Sequence, residues 1–85
     1  MTYKIILANF AERELFKLQK SEIQKIVLSI DSLQSNPRPK GYKKLKGPEN
    51  FFRIRNGNFR IIYSIDDVKK TIHILIIRNR KDAYK

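Results

Sequence analysis

Asn56-Gly57 lies between two runs that interleave apolar and basic residues, Phe51-Phe52-Arg53-Ile54-Arg55 and Asn58-Phe59-Arg60-Ile61-Ile62-Tyr63. No other stretch constrains the fold as strongly. Such a pair is the leading short-range signal for a β-hairpin, because a type I′ turn needs φ > 0 at both central residues. With the turn at Asn56-Gly57, Arg53 faces Arg60, Ile54 faces Phe59 and Phe52 faces Ile61. Phe52, Ile54, Phe59 and Ile61 then form a core face, and Arg53, Arg55 and Arg60 share the other. Moving the turn to Gly57-Asn58 would set Arg55 against Arg60 and still leave the three arginines together. Like charges facing each other across a strand pair cost a few tenths to about 1 kcal/mol. A sheet that accepts this cost is suited to hold guanidinium groups for an anion. The alternative is three solvated arginines on an open face.

Charge sharpens the question of partner. The 85 residues carry 19 Lys and Arg against 8 Asp and Glu, a net charge of +11. In so small a chain, that imbalance points first to nucleic acid, which releases counterions when its phosphates are neutralised. An acidic protein comes second and a membrane surface third. A chain with 41% hydrophobic residues has material for one modest core, so a single domain over residues 1–85 is expected. With no cysteine, neither disulfides nor thiolate metal sites are available. The apolar run at Ile5-Ile6-Leu7-Ala8 is too short for a signal peptide or a membrane span, so the expected location is cytoplasmic.

Residues 2–7 read as a strand. Asn9 with Glu12 has capping-box spacing and opens a helix through Phe10, Ala11, Glu14, Leu15 and Leu18. Ser21 with Gln24 repeats the signature and starts a second helix with the stripe Ile23, Ile26, Val27, Ile30 and Leu33. Asn36-Pro37-Arg38-Pro39 stops it. A basic loop or irregular edge segment follows over residues 40–48. After the hairpin, whose second strand runs to about Ile65, residues 66–70 make a polar turn. A last strand covers Thr71 to Ile77, and a basic tail runs from Arg78 to Lys85. The order β-α-α-β-β-β predicts an α+β fold, an N-terminal strand and a two-helix hairpin packed on one face of a small antiparallel sheet. If Ile72, Ile74 and Ile76 face the core, alternation leaves the approach of Arg78 and Arg80 to the open face unsettled.

The chain offers little for orthodox nuclease chemistry. His73 is the single histidine, and a lone strand histidine is most often solvated or in a cross-strand contact. The acids are scattered over helices and turns, so neither a metal site nor another cofactor is expected. One reaction remains open to a site of cations and tyrosines. RNA can be cleaved by its own 2′-OH, given in-line positioning, charge stabilisation at phosphorus and proton transfer. Guanidinium groups suit the second task, binding phosphate oxygens in pairs, and serve poorly as acid or base. A lysine depressed by neighbouring cations, or Tyr84, is the better proton carrier.

Lys43-Lys44-Leu45-Lys46-Gly47, Phe52-Arg53-Ile54-Arg55, Gly57-Asn58-Phe59-Arg60-Ile61-Ile62-Tyr63 and Arg80-Lys81-Asp82-Ala83-Tyr84, in that order and spacing, resemble the RelE/ParE superfamily of bacterial toxins. The resemblance spans the whole chain and is strongest to the RelE-like branch. It implies a RelE-like fold and a type II toxin that acts as a metal-independent endoribonuclease on mRNA, on the ribosome. A cognate acidic antitoxin would hold it inactive. Carried over by position, Arg53, Arg55, Arg60, Arg80 and Tyr84 are the implied catalytic set, with Lys43, Lys44, Lys46, Arg78 and Lys81 binding RNA. Arg60 and Arg80 would contact phosphate, and Tyr84 would stack or help move a proton. Two departures stand out. Arginines replace the lysines of the best-known enzymes on the first hairpin strand, and Arg78-Asn79 replaces a common Gly-His. Two other readings remain open: a ParE-like inhibitor of DNA gyrase, and a non-catalytic basic module that binds RNA or the ribosome.

Overall fold

In the computed structural model, which describes residues 2–47 and 50–79, the chain folds in the expected order with one added edge strand. The elements are β1 Lys4–Leu7, α1 Asn9–Phe16, α2 Lys20–Ser32, β2 Lys43–Lys44, β3 Phe51–Asn56, β4 Phe59–Asp66 and β5 Thr71–Asn79. The sheet order is β1-β5-β4-β3-β2, an α+β arrangement. β2 to β5 pair antiparallel, as the sequence predicts, whereas β1 runs parallel to β5. Direction is fixed from outside β1: Lys4 N–H donates to Lys70 C=O at 2.8 Å, and Ala8 N–H to Ile74 C=O at 2.9 Å. A parallel neighbour needs a long crossover, which the intervening chain supplies without any local signal.

The hairpin turn is Gly57-Asn58, since Asn56 pairs with Phe59 and Arg55 with Arg60. This corrects the expected Arg53–Arg60 pair; Arg53 instead faces Ile62. Gly57 has φ +59°, and Asn58 is not among the positive-φ residues. That is the sign pattern of a type II′ turn, which wants Gly at its first central position. The choice leaves Asn56 as the last strand residue, where its amide donates to Lys25 C=O at 3.0 Å and to the Ser29 hydroxyl. A bond to α2 therefore overrides the local Asn-Gly preference.

Both helices pack on one face of the sheet. α2 buries Ile26 and Ile30, its C-cap Leu33 continues the stripe, and α1 buries Ala11 and Leu15. They meet Phe52, Ile54, Phe59, Ile61, Tyr63, Ile65, Ile72, Ile74 and Ile77 of the sheet. Val27, read as part of the apolar stripe of α2, and Phe10 of α1 remain exposed. Neither helix starts at the expected cap. Ala8 precedes α1 with no side-chain cap, and Gln19 precedes α2. The Glu22 carboxylate accepts the Gln19 N–H at 3.2 Å, half of a capping box shifted two residues from Ser21-Gln24.

Two details position the functional face. The first is a β-bulge. Tyr63 pairs with Ile74, but Ile62 pairs with Ile76, so Leu75 is an extra residue. The bulge reverses the alternation of β5, and Ile77 is buried where Ile76 was expected to be. The second is a pinned loop before β2. Arg38 donates to both Asp67 oxygens at 2.9 and 3.4 Å, and Tyr3 donates its hydroxyl to the same carboxylate at 2.6 Å. The buried Tyr63 hydroxyl donates to Pro37 C=O at 2.8 Å, while the Arg38 guanidinium lies 5.6 Å from the Phe52 ring centre.

Candidate nucleic-acid interface

The sheet face away from the helices carries the cations. Register places Arg55, Arg60 and Arg78 in one cross-strand row over β3, β4 and β5. Neighbouring strands are about 4.8 Å apart, so the three guanidinium groups can converge on one anion. The next row holds Lys43, Arg53, Ile62 and Ile76. Among the described residues, the nearest carboxylate on this face is Asp66, at the far end of β4. It is engaged there by the N–H groups of Val68 and Lys69 at 3.1 and 3.0 Å. The arginines therefore have no acid in their own rows to neutralise them. Burial lowers the pKa of Arg53, and the charges of Arg55 and Arg60 lower it further. The group stays cationic at neutral pH, but its proton is less tightly held than in water.

Arg78 reaches the row because of the bulge. Without the bulge, the Tyr63–Ile74 register would pair Leu75 with Ile62 and set Arg78 opposite the buried Phe59. With it, Arg78 faces Arg60, and its guanidinium lies 5.9 Å from the Phe10 ring centre of α1, within cation–π range. The exposed Phe10 thus supports a site arginine.

The sheet therefore brings together Lys43, Arg53, Arg55, Arg60 and Arg78. Lys44 pairs with Phe52 and has the opposite parity; it is exposed at the edge. Lys46 is exposed beyond the end of β2. Arg80, Lys81 and Tyr84 lie outside the described residues. His73 is on the open face opposite Ser64 and Ile6. Two rows of about 6.7 Å each separate it from the arginine row, too far to exchange a proton with a phosphate held there. Lys40 was not legible as part of this surface. It lies in the pinned loop, where it lines a cleft of about 410 Å³ with Lys43, Arg53 and Arg55.

A model of the ParE toxin family of type II toxin–antitoxin systems matches residues 5–84. The chain belongs to this family. The protein named toxin RelE1 in Methanocaldococcus jannaschii is 32% identical, over 100% of this chain and 98% of its own. In the archaeal RelE–RelB complex from Pyrococcus horikoshii OT3, a matching chain superposes with a TM-score of 0.84 at 29% identity. The match covers 94% of this chain and 97% of that one. The Mycobacterium tuberculosis toxin–antitoxin complex RelBE2 gives 0.81 at 28%, covering 94% and 100%. The chain is a RelE-like toxin of the type II class, and the cationic rows are its most distinctive chemical feature.

Proposed function

We propose that this RelE-like toxin is a metal-independent endoribonuclease that cleaves mRNA on the ribosome. The observation that carries the reading is the row Arg55–Arg60–Arg78, with Arg53 and Lys43 in the next row and no carboxylate in either. Cleavage by the RNA's own 2′-OH forms a bond from the 2′-oxygen to phosphorus and breaks the bond to the 5′-oxygen. The products are a cyclic phosphate and a free 5′-hydroxyl. Negative charge grows on the non-bridging oxygens between these events, and a preorganised guanidinium row stabilises it there. Arg60, central in the row, contacts the scissile phosphate. Arg55 and Arg78 flank it, and Arg53 holds the strand in line.

The arginines do not carry the protons, because their pKa lies too high for transfer near neutral pH. The resemblance assigns Arg80 to phosphate and Tyr84 to stacking or proton transfer, with Lys44, Lys46 and Lys81 adding attraction for RNA. Both solved relatives are toxin–antitoxin complexes, and on this chain the same cationic surface is where an acidic antitoxin would neutralise the toxin in a cytoplasmic complex.

Primer extension on a translated mRNA with added protein tests the reading. New 5′ ends that require ribosomes are expected, and they should vanish with Arg60→Ala. Growth arrest without new ends would overturn the endoribonuclease reading in favour of the non-catalytic module. Inhibition of supercoiling without mRNA cleavage would overturn it in favour of gyrase.

A further inference from the structure

The cleft where β2 stops lies beside the arginine row and shares Arg55 with it. β2 pairs only Lys43 with Arg53 and Lys44 with Phe52. Leu45 N–H donates to Phe51 C=O at 2.9 Å. Alternation along an antiparallel ladder therefore directs the backbone groups of Phe51, Arg53 and Arg55 toward the β2 side. Arg55 lies beyond the last β2 pair, so its N–H and C=O point off the sheet edge. That edge borders the cleft of about 410 Å³, walled by Ser29 and Ser32 of α2, Lys40 of the pinned loop, and Lys43, Arg53 and Arg55. Four cations and, among the described residues, no carboxylate line it.

A free edge beside cations could take a peptide strand or a phosphate. Strand addition draws its affinity from several consecutive ladder bonds. Here one residue is free: β3 ends at Asn56, whose side chain is tied to Lys25 and Ser29 of α2. A phosphate needs only an N–H and cations within reach. Lys40 is also placed in advance, because the loop carrying it is held through Arg38–Asp67 and Tyr63–Pro37. Arg55 further lines a hollow of about 70 Å³ beside Arg60, so one residue adjoins both places.

We propose that this cleft binds a second phosphate of the same RNA strand, with Lys40 as its anchor. The proposal rests on the endoribonuclease reading and extends it: the strand crosses the arginine row and leaves over the β2–β3 edge, past Lys43 and Lys40.

The test is binding of an uncleavable 2′-O-methyl oligonucleotide across a salt series, with native protein, Lys40→Gln, Lys40→Arg, Lys20→Gln and Arg60→Ala. Lys40 and Lys20 are both exposed, so the variants keep the fold, and Lys20→Gln matches the change in net charge away from the cleft. Lys40→Gln is expected to weaken binding severalfold and to flatten the salt slope by about 0.7, the contribution of one single-strand phosphate contact. Lys40→Arg should restore both. If Lys40→Gln behaves as Lys20→Gln while Arg60→Ala loses affinity, the cleft proposal alone is overturned. If neither Lys40→Gln nor Arg60→Ala loses affinity, the function reading falls with it. A Lys40→Gln protein that loses affinity for a poly-glutamate peptide but not for RNA assigns the cleft to a protein partner and overturns the proposal.

Discussion

Arg78 of β5 stands directly opposite Arg60 of β4, and Arg60 stands opposite Arg55 of β3. Each like-charged pair costs up to about 1 kcal/mol. The other side of the same strands offsets that cost several times over. Ile54, Phe59, Ile61 and Ile77 are buried there, at roughly 1.5–3 kcal/mol for each side chain. The apolar face decides that the strands pair, and the cations are carried along on the opposite face. They are then available to an anion that relieves their repulsion.

Arg60→Ala and Arg78→Ala should each lower mRNA cleavage by about 100-fold or more, the usual effect of removing one preorganised charge stabiliser. Neither should lower the melting temperature, because each removes a repulsive neighbour. Cleavage assays and thermal denaturation run on the same preparations check both parts. An inactive variant that also melts early would show that the arginine is structural.

Deletion of Leu75 should remove the bulge and keep the fold. Ile76 then follows Ile74 directly, so Ile62–Ile76, Ile61–Ile77 and Arg60–Arg78 continue the Tyr63–Ile74 register with Ile77 on the core side. Deletion of Leu75 and Ile76 together shifts the rest of β5 by one residue and exchanges its side chains between faces. A cooperative thermal transition is expected for the single deletion and its loss for the double deletion. A single deletion that fails to fold would show that the bulge itself is required.

Asp67→Asn should weaken the loop before β2 in a pH-dependent way. The bonds from Arg38 and then Tyr3 hold the Asp67 carboxyl below its ordinary 3.8. The unfolded chain therefore takes up this proton first. The stabilisation is complete above that value and is lost as pH falls below it. Melting curves of the native and variant proteins between pH 2 and 7 should differ at the upper end and converge at the lower. A gap that persists at pH 2 would rule out the carboxylate as its source.

Tyr63→Phe should cost about 1–2 kcal/mol at neutral pH, through the lost bond to Pro37 C=O. Burial pushes the Tyr63 phenol up from 10.0 to about 12, so the folded state resists its ionisation. The contribution is present below pH 10 and drains away as pH rises toward 12. Denaturant titrations at pH 7 and pH 11 should show the gap between native and variant narrowing at the higher value. An unchanged gap would mean that Tyr63 does not titrate in this range.

Local chemistry made much of this protein legible in advance. Alternation around Gly57 set Arg53, Arg55 and Arg60 on the face opposite Phe52, Ile54, Phe59 and Ile61, and this held whichever turn was chosen. Helical spacing located Ile26, Ile30 and Leu33 in the core, while α2 ended at Ser32, ahead of the two prolines. Contacts between distant segments decided the rest. The turn moved by one residue because Asn56 bonds to α2, and β1 took its direction from β5. The partnership of Arg78 with Arg60 depended on the bulge that leaves Leu75 unpaired, one leucine in a run of similar apolar residues. Nothing in a strand's own alternation marks where an extra residue will be accommodated. That is settled by which side chains fit beneath the helices, and it placed the third arginine of the row.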